Sequence, residues 1–349
     1  MRFTLLITLF LFLPGPASAD PSETGSPDKP IQWVVRDWTV FGSLTNALEE
    51  PIGGVVLLAG SGPTDRNWES SLLPGENGSG RLLAHSLAKW GFSSIRFDKF
   101  GSGETGVSES YSDPDFRLSP ADFLSEITGA LSAVRVEVGD TPPLFLAGHS
   151  EGGLWALDFH RRNPGVFAGV ILMGTAGRRQ CDVIVDQIDA QLKQLKMSED
   201  TRLLEIARLR NALELASQQQ EIPPESLPTL PGLKAVVQAY VQENSADVAA
   251  WLCRTDPVQL LPENSENILI LQGGLDIQVH PEKDALRLHQ NANGSKLVLA
   301  DEADHVLKNL DLDGQELNRM HAFKYNQAGR SLDPILMRAM HQWLLQHTQ

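Results

Sequence analysis

Cysteine is nearly absent: Cys181 and Cys253 are the only two in 349 residues. That excludes a disulfide-dense scaffold and a cysteine-ligated metal site, and leaves room for one disulfide or two buried thiols. Positive charge is also scarce, with 29 Lys and Arg against 44 Asp and Glu and a net charge of −15. Nucleic acid and anionic membrane surfaces are therefore excluded as partners, and the acidity serves solubility. No apolar run approaches the roughly 20 residues needed to span a bilayer. The 29 glycines and 21 prolines are dispersed along the chain, which argues against a disordered or fibrous protein. Gly101, Gly103 and Gly106 lack the Lys-Ser/Thr of a phosphate-binding loop and its spacing to a helix, so they read as a structural turn.

What is present begins with a leader. Arg2 precedes an apolar stretch from Phe3 to Leu13, then Pro14, Gly15, Pro16 and the triplet Ala17-Ser18-Ala19. This pattern predicts a cleavable signal peptide over residues 1–19 and a secreted or periplasmic protein. Loss of Arg2 with the leader takes the net charge from −15 to −16. Residues 20–30 are rich in proline, serine and charge and read as a flexible leader, with folding starting near Ile31.

Stretches 31–36 and 39–44 are β-rich and suited to an opening antiparallel hairpin. Thereafter apolar runs at 55–59, 94–98, 144–148, 168–174, 268–272 and 296–301 alternate with helical patterns. The helices fall near 82–90 and 120–138, after Gly152, and near 281–291 and 334–347. Continuous apolar strands separated by helices predict an α/β fold with a doubly wound, mostly parallel sheet covered on both faces. Residues 178–256 break the rhythm. They offer helical patterns at 183–195, 201–216 and 233–251, separated by a loop at 218–231 holding Pro223, Pro224, Pro228 and Pro231. This is the pattern of a helical cap inserted into a core of 31–177 and 257–349. Cys181 and Cys253 flank it.

The most specific motif is Gly148-His149-Ser150-Glu151-Gly152, set between an apolar strand and a helix. A chain turning sharply from strand to helix strains Ser150 and requires neighbours without side chains at positions two before and two after it. The turn lifts the serine hydroxyl to the sheet edge at a helix N-terminus, where amides and the helix dipole favour a developing oxyanion. On this motif, and on Gly60-Ser61-Gly62-Pro63-Thr64-Asp65-Arg66, the chain resembles the α/β-hydrolase superfamily over about residues 31–347. Within it, the chain is similar to bacterial serine carboxylesterases, which are related to serine aminopeptidase-like hydrolases.

The resemblance implies a triad in the order Ser, acid, His. Asp276 follows the strand at 268–272, and His305 follows the strand at 296–301, so both slots are filled. Asp301 and Asp304 lie too close in sequence to His305 to serve as its acid, and His149 is expected to point away from Ser150. The resemblance also implies an oxyanion hole, with Glu151 N–H as one donor and Ser61, or else Gly62, as the other. The family's usual His-Gly is Ala59-Gly60 here. Asp65 and Arg66 are expected to pair and shape this loop.

The expected function is hydrolysis of a small carboxylic ester through an acyl-enzyme, with no cofactor and no metal. An aminopeptidase or amidase on the same fold, and a non-catalytic binding protein, are the alternatives.

Overall fold

The computed structural model describes residues 28–70, 75–310 and 325–348. The signal peptide assigned to 1–19 and the first part of the leader lie outside them. The chain forms two compact units, one from Glu109–Ala121 and Arg178–Asp256, the other from the described parts of 13–108, 122–177 and 257–349.

The larger unit holds one eight-stranded sheet. Its strands are β1 (Asp28–Val35), β2 (Trp38–Thr45), β3 (Gly53–Leu58), β4 (Phe92–Phe97), β5 (Leu144–His149), β6 (Gly169–Met173), β7 (Ile268–Gly273) and β8 (Lys296–Ala300). They lie in the order β1-β2-β4-β3-β5-β6-β7-β8. β1 and β2 form an antiparallel hairpin and β2 runs antiparallel to β4, while the rest of the sheet is parallel. Every residue of β3, β4, β5, β6 and β7 is buried, which is why these segments read as unbroken runs: helices cover both faces. Among the described residues, the helices of this unit are α1 (Ser79–Lys89), α2 (Pro120–Val138) and α3 (Glu151–Arg162), with two more after the inserted unit.

The smaller unit contains α4 (Gln180–Lys193), α5 (Glu199–Ser217), α6 (Pro231–Tyr240) and α7 (Ala246–Arg254). Its core gathers Ile184, Ile188, Leu209, Leu213, Leu233, Val237 and Tyr240. A disulfide joins Cys181 in the first turn of α4 to Cys253 in the last turn of α7. The proline-rich loop is held by the buried carboxylate of Glu205, which accepts from Thr229 N (2.8 Å) and Leu230 N (3.0 Å) just ahead of α6. The pattern at 233–251 splits into two helices instead of the single one expected. Asn244, in the break, accepts from Leu118 N (2.8 Å) and donates to Tyr111 O (2.7 Å), so contacts distant in sequence override the local periodicity.

The chain returns to the larger unit through β7, α8 (Leu286–Asn291), β8 and α9 (Pro334–Gln346). The core beneath the sheet includes Leu57, Leu87, Phe92, Phe145, Ile171, Leu269 and Trp343. Each fully buried side chain of this size contributes roughly 1.5–3 kcal/mol by leaving water.

The first strand starts at Asp28 rather than Ile31, so residues 28–30 are not part of a flexible leader. The cause lies across the sheet. Arg96 on β4 is buried, and a buried guanidinium needs a counter-ion. Asp28 supplies it with two hydrogen bonds, Oδ1 to Nη1 (3.1 Å) and Oδ2 to Nη2 (2.5 Å). Burial pushes the Asp28 carboxyl up, but Arg96 outweighs it and holds it at about 2.

Candidate functional site

The strand registers bring one row of residues together at the carboxyl edge of the sheet. Leu57 pairs with Arg96, Leu58 with Gly148, His149 with Met173, and Met173 with Leu271. Carried just past the strand ends, these registers align Lys99, Gly60, Ser150, Gly174 and Gln272. Hydrogen bonds hold the row: Ser150 N donates to Met173 O (2.8 Å), and Gly174 N to Leu271 O (2.9 Å).

Ser150 has φ 52° and ψ −121°, a strained conformation for a residue with a side chain. The elbow tolerates it because its neighbours are glycines. A Cβ on Gly148 would sit 2.3 Å from Gly152 O, and one on Gly152 2.6 Å from both Leu58 O and Ala59 O. Glu151 opens α3, so its N–H lies at the helix N-terminus, where helical geometry supplies no carbonyl partner.

Asp276 and His305 meet directly, His305 Nδ1 lying 2.8 Å from Asp276 Oδ2. Both side chains are buried. The carboxylate is fully occupied: Oδ1 accepts from Gln278 N (2.8 Å) and Val279 N (2.9 Å), and Oδ2 also accepts from Gln272 Nε2 (2.9 Å). An acceptor-only carboxylate requires His305 Nδ1 to carry the proton, which leaves Nε2 as the basic nitrogen. Gly174, next to Ser150 in the row, lies against this pair. A Cβ there would be 3.3 Å from His305 Nδ1 and 3.5 Å from Asp276 Oδ2.

Asp304 turns away from the imidazole and binds Arg330 (2.7 Å), while its other oxygen accepts from Val306 N and Lys308 N (3.1 Å each). It shapes the loop that carries His305. The expected Asp65–Arg66 pair does not form. Arg66 instead binds Asp98 (2.6 Å) and Glu104 (2.8 Å). Asp65 accepts from Asn67 N (2.8 Å) and Glu69 N (2.9 Å), and burial pushes its carboxyl up to about 6. Asp65 opens a turn closed by Trp68 N donating to Asp65 O (3.0 Å), and its carboxylate caps that turn, so proximity in sequence was a poor guide.

Just past the end of β3, Gly60 faces Ser150; a Cβ on it would lie 3.2 Å from Ser150 Cβ. Ser61 follows Gly60 directly. Gly62 sits in the turn beyond, at φ 73°, with its carbonyl accepting from Thr64 N (2.8 Å).

Three neighbours escaped the sequence reading. Gln272 donates to Asp276. His149 donates through Nε2 to His305 O (2.8 Å), and its ring stacks on Trp68 with centroids 4.8 Å apart. Burial pushes the His149 imidazole down to about 3, aided by the nearby His305, so it stays neutral. Lys99 is buried and donates to Gly60 O. The available signal was a polar residue ending an apolar strand, at Gln272, and a cation between Phe97 and Phe100, at Lys99. Among the described residues no cluster of three or more His, Cys, Asp or Glu is arranged to hold a metal ion, and no helix is long and apolar enough to cross a membrane.

No curated protein is significantly similar in sequence. Among solved structures, Est1E from Butyrivibrio proteoclasticus with ferulic acid bound aligns with a TM-score of 0.53 at 13% identity, over 91% of this chain and 98% of that one. Proline iminopeptidase from Mycobacterium smegmatis aligns with a TM-score of 0.52 at 15% identity, over 92% and 99%. A Pyrococcus furiosus esterase aligns with a TM-score of 0.52 at 11% identity, over 96% and 97%. These likenesses show the α/β-hydrolase fold. A family model described as serine aminopeptidase, S33, matches residues 78–309, and the chain belongs to that hydrolase family.

Proposed function

We propose that the protein is a serine hydrolase that cleaves carboxylic esters, with Ser150 as nucleophile, His305 as base and Asp276 as the residue that orients it. The observation carrying this reading is the His305–Asp276 hydrogen bond, set one residue row from a strained Ser150. Ser150 Oγ attacks the ester carbonyl carbon as its proton passes to His305 Nε2. The tetrahedral oxyanion is met by the N–H groups of Glu151 and Ser61. Collapse expels the alkoxide, which takes the proton from His305 and leaves as an alcohol. Water, deprotonated by His305, then attacks the acyl-enzyme, releasing a carboxylic acid and restoring Ser150.

Esters are favoured over aminoacyl amides because, among the described residues, the acids adjoining Ser150, Lys99 and His305 in sequence are committed. Glu151 accepts from Trp155, Asp98 binds Arg66, and Asp304 binds Arg330. An aminopeptidase needs an uncommitted carboxylate for the substrate ammonium. We also propose export: residues 1–19 have the signal-peptide pattern, and the Cys181–Cys253 disulfide suits an oxidising compartment.

The test is turnover of a chain-length series of p-nitrophenyl esters beside aminoacyl amides. Ester turnover that disappears in Ser150→Ala supports the reading; a preference for aminoacyl amides replaces it with a peptidase, and inertness towards both contradicts it.

A further inference from the structure

Lys99 stands where a lysine is costly. It follows β4, its side chain is nearly excluded from solvent, and desolvation opposes its charge. A buried cation persists only if its surroundings compensate. Here a carbonyl and two acids do so. Nζ donates to Gly60 O and lies 3.9 Å from Glu151 Oε1. Glu126, also buried, is the second acid acting on it. Glu126 Oε1 accepts from Phe100 N (2.9 Å) and Trp38 Nε1 (3.2 Å), and burial pushes this carboxyl up to about 8.

The two groups that Lys99 engages are not arbitrary. Gly60 O belongs to the peptide whose N–H is that of Ser61, and a trans peptide directs its C=O and N–H in opposite directions. Carried past the strand ends, the register places Gly60 between Lys99, just after β4, and Ser150, just after β5. Fixing the carbonyl towards Lys99 therefore turns Ser61 N–H away from Lys99, towards the Ser150 side of the row. Glu151, the ion partner of Lys99, carries the other amide at the head of α3.

The geometry points to Lys99 as the positioning residue of the oxyanion hole: its ammonium anchors the Gly60–Ser61 peptide and the Glu151 side chain, so that one buried cation sets both donors. The ammonium also polarises the peptide it binds, which makes Ser61 N–H a stronger donor to a developing negative charge. This rests on the ester-hydrolase reading above.

The experiment compares wild type, Lys99→Met and Lys99→Gln. Met keeps the stem and removes the donor; Gln keeps a shorter, neutral donor. Active sites are counted by fluorophosphonate titration. The readouts are kcat and KM for a p-nitrophenyl ester, and the inhibition constant of an alkyl boronic acid, which mimics the tetrahedral state. Removal of one oxyanion donor costs about 10²–10³ in kcat, and misdirection should cost somewhat less. Lys99→Met is expected to lose about 10- to 100-fold in kcat per titrated site, with KM changed less than about threefold. Boronate affinity is expected to weaken by the same factor, with Lys99→Gln in between.

Variants that melt earlier but keep wild-type kcat and boronate affinity per site would reduce Lys99 to a structural ion and overturn the proposal. If Lys99→Met does not fold, Lys99→Gln decides alone, since parallel losses in kcat and boronate affinity support the proposal and unchanged values overturn it. A wild type inert to both fluorophosphonate and esters would instead defeat the hydrolase reading, so the two failures are distinguishable.

Discussion

The imidazole of His149 donates a hydrogen bond to the main-chain carbonyl of His305, 2.8 Å away, and so ties the residue before the proposed nucleophile to the backbone of the proposed base. The link crosses 156 positions of sequence and fixes where the backbone of His305 sits, independently of Asp276. His149→Leu leaves a buried carbonyl unpaired, which costs about 1–3 kcal/mol of stability. It should also lower kcat about tenfold at nearly constant KM. His149→Gln retains a donor and should recover most of the activity.

The same residue makes the protein acid-sensitive. The His149 imidazole has a folded pKa of about 3 against an unfolded 6.5. Between these values the unfolded chain binds the extra proton, so stability declines as pH falls from 6.5 towards 3, by up to about 1.4 kcal/mol per pH unit. Urea titrations of wild type and His149→Gln across this range should diverge as pH drops, with the variant losing less. Parallel curves would contradict this.

Asp276→Asn keeps the size of the side chain but offers an amide where the imidazole needs an acceptor. The wrong tautomer of His305 is then favoured, and kcat should fall by about 10⁴-fold with stability little altered. Steady-state kinetics beside a thermal melt separate this from unfolding. A loss under tenfold would remove Asp276 from the mechanism.

The elbow glycines were legible in the sequence because their requirement is local: a strand turning directly into a helix leaves no room beside Ser150. Gly148→Ala would drive a methyl against Gly152 O at 2.3 Å and should cost more than about 3 kcal/mol. Gly139→Ala is the control. Its φ is 80° with open space around it, so only the backbone penalty of about 1 kcal/mol remains. The stability difference between the two variants, read from urea midpoints, checks the steric argument.

The parallel strands were readable for a related reason, since burial on both faces forces uninterrupted apolar runs such as Ile268-Leu269-Ile270-Leu271. Gln272, Lys99 and His149 were not, because their roles arise where strands far apart in the chain come into register. Lys99 and Gly60 are 39 positions apart and become neighbours only once β3 and β4 pair. Arg66 shows the same limit from the other side: its partner is Asp98, 32 positions away, rather than the acid beside it. The single helix expected at 233–251 failed likewise, broken by Asn244 bonding to a segment more than 120 positions earlier.

The disulfide closes a loop of 72 residues. Chain entropy alone assigns it about 4 kcal/mol. Cys181→Ala with Cys253→Ala should lower stability by about this amount, chiefly within the helical unit. A thiol count under denaturing, non-reducing conditions should find none in the wild type, and two reactive thiols would rule the bond out.

The most direct test of the central claim is the site of covalent capture. Wild-type protein treated with a fluorophosphonate and digested should show one equivalent of label, by mass spectrometry, on the hydroxyl of Ser150. Labelling should vanish in Ser150→Ala and slow sharply in His305→Ala. Label on another residue, or none on folded protein, would contradict the assignment of Ser150 as the nucleophile.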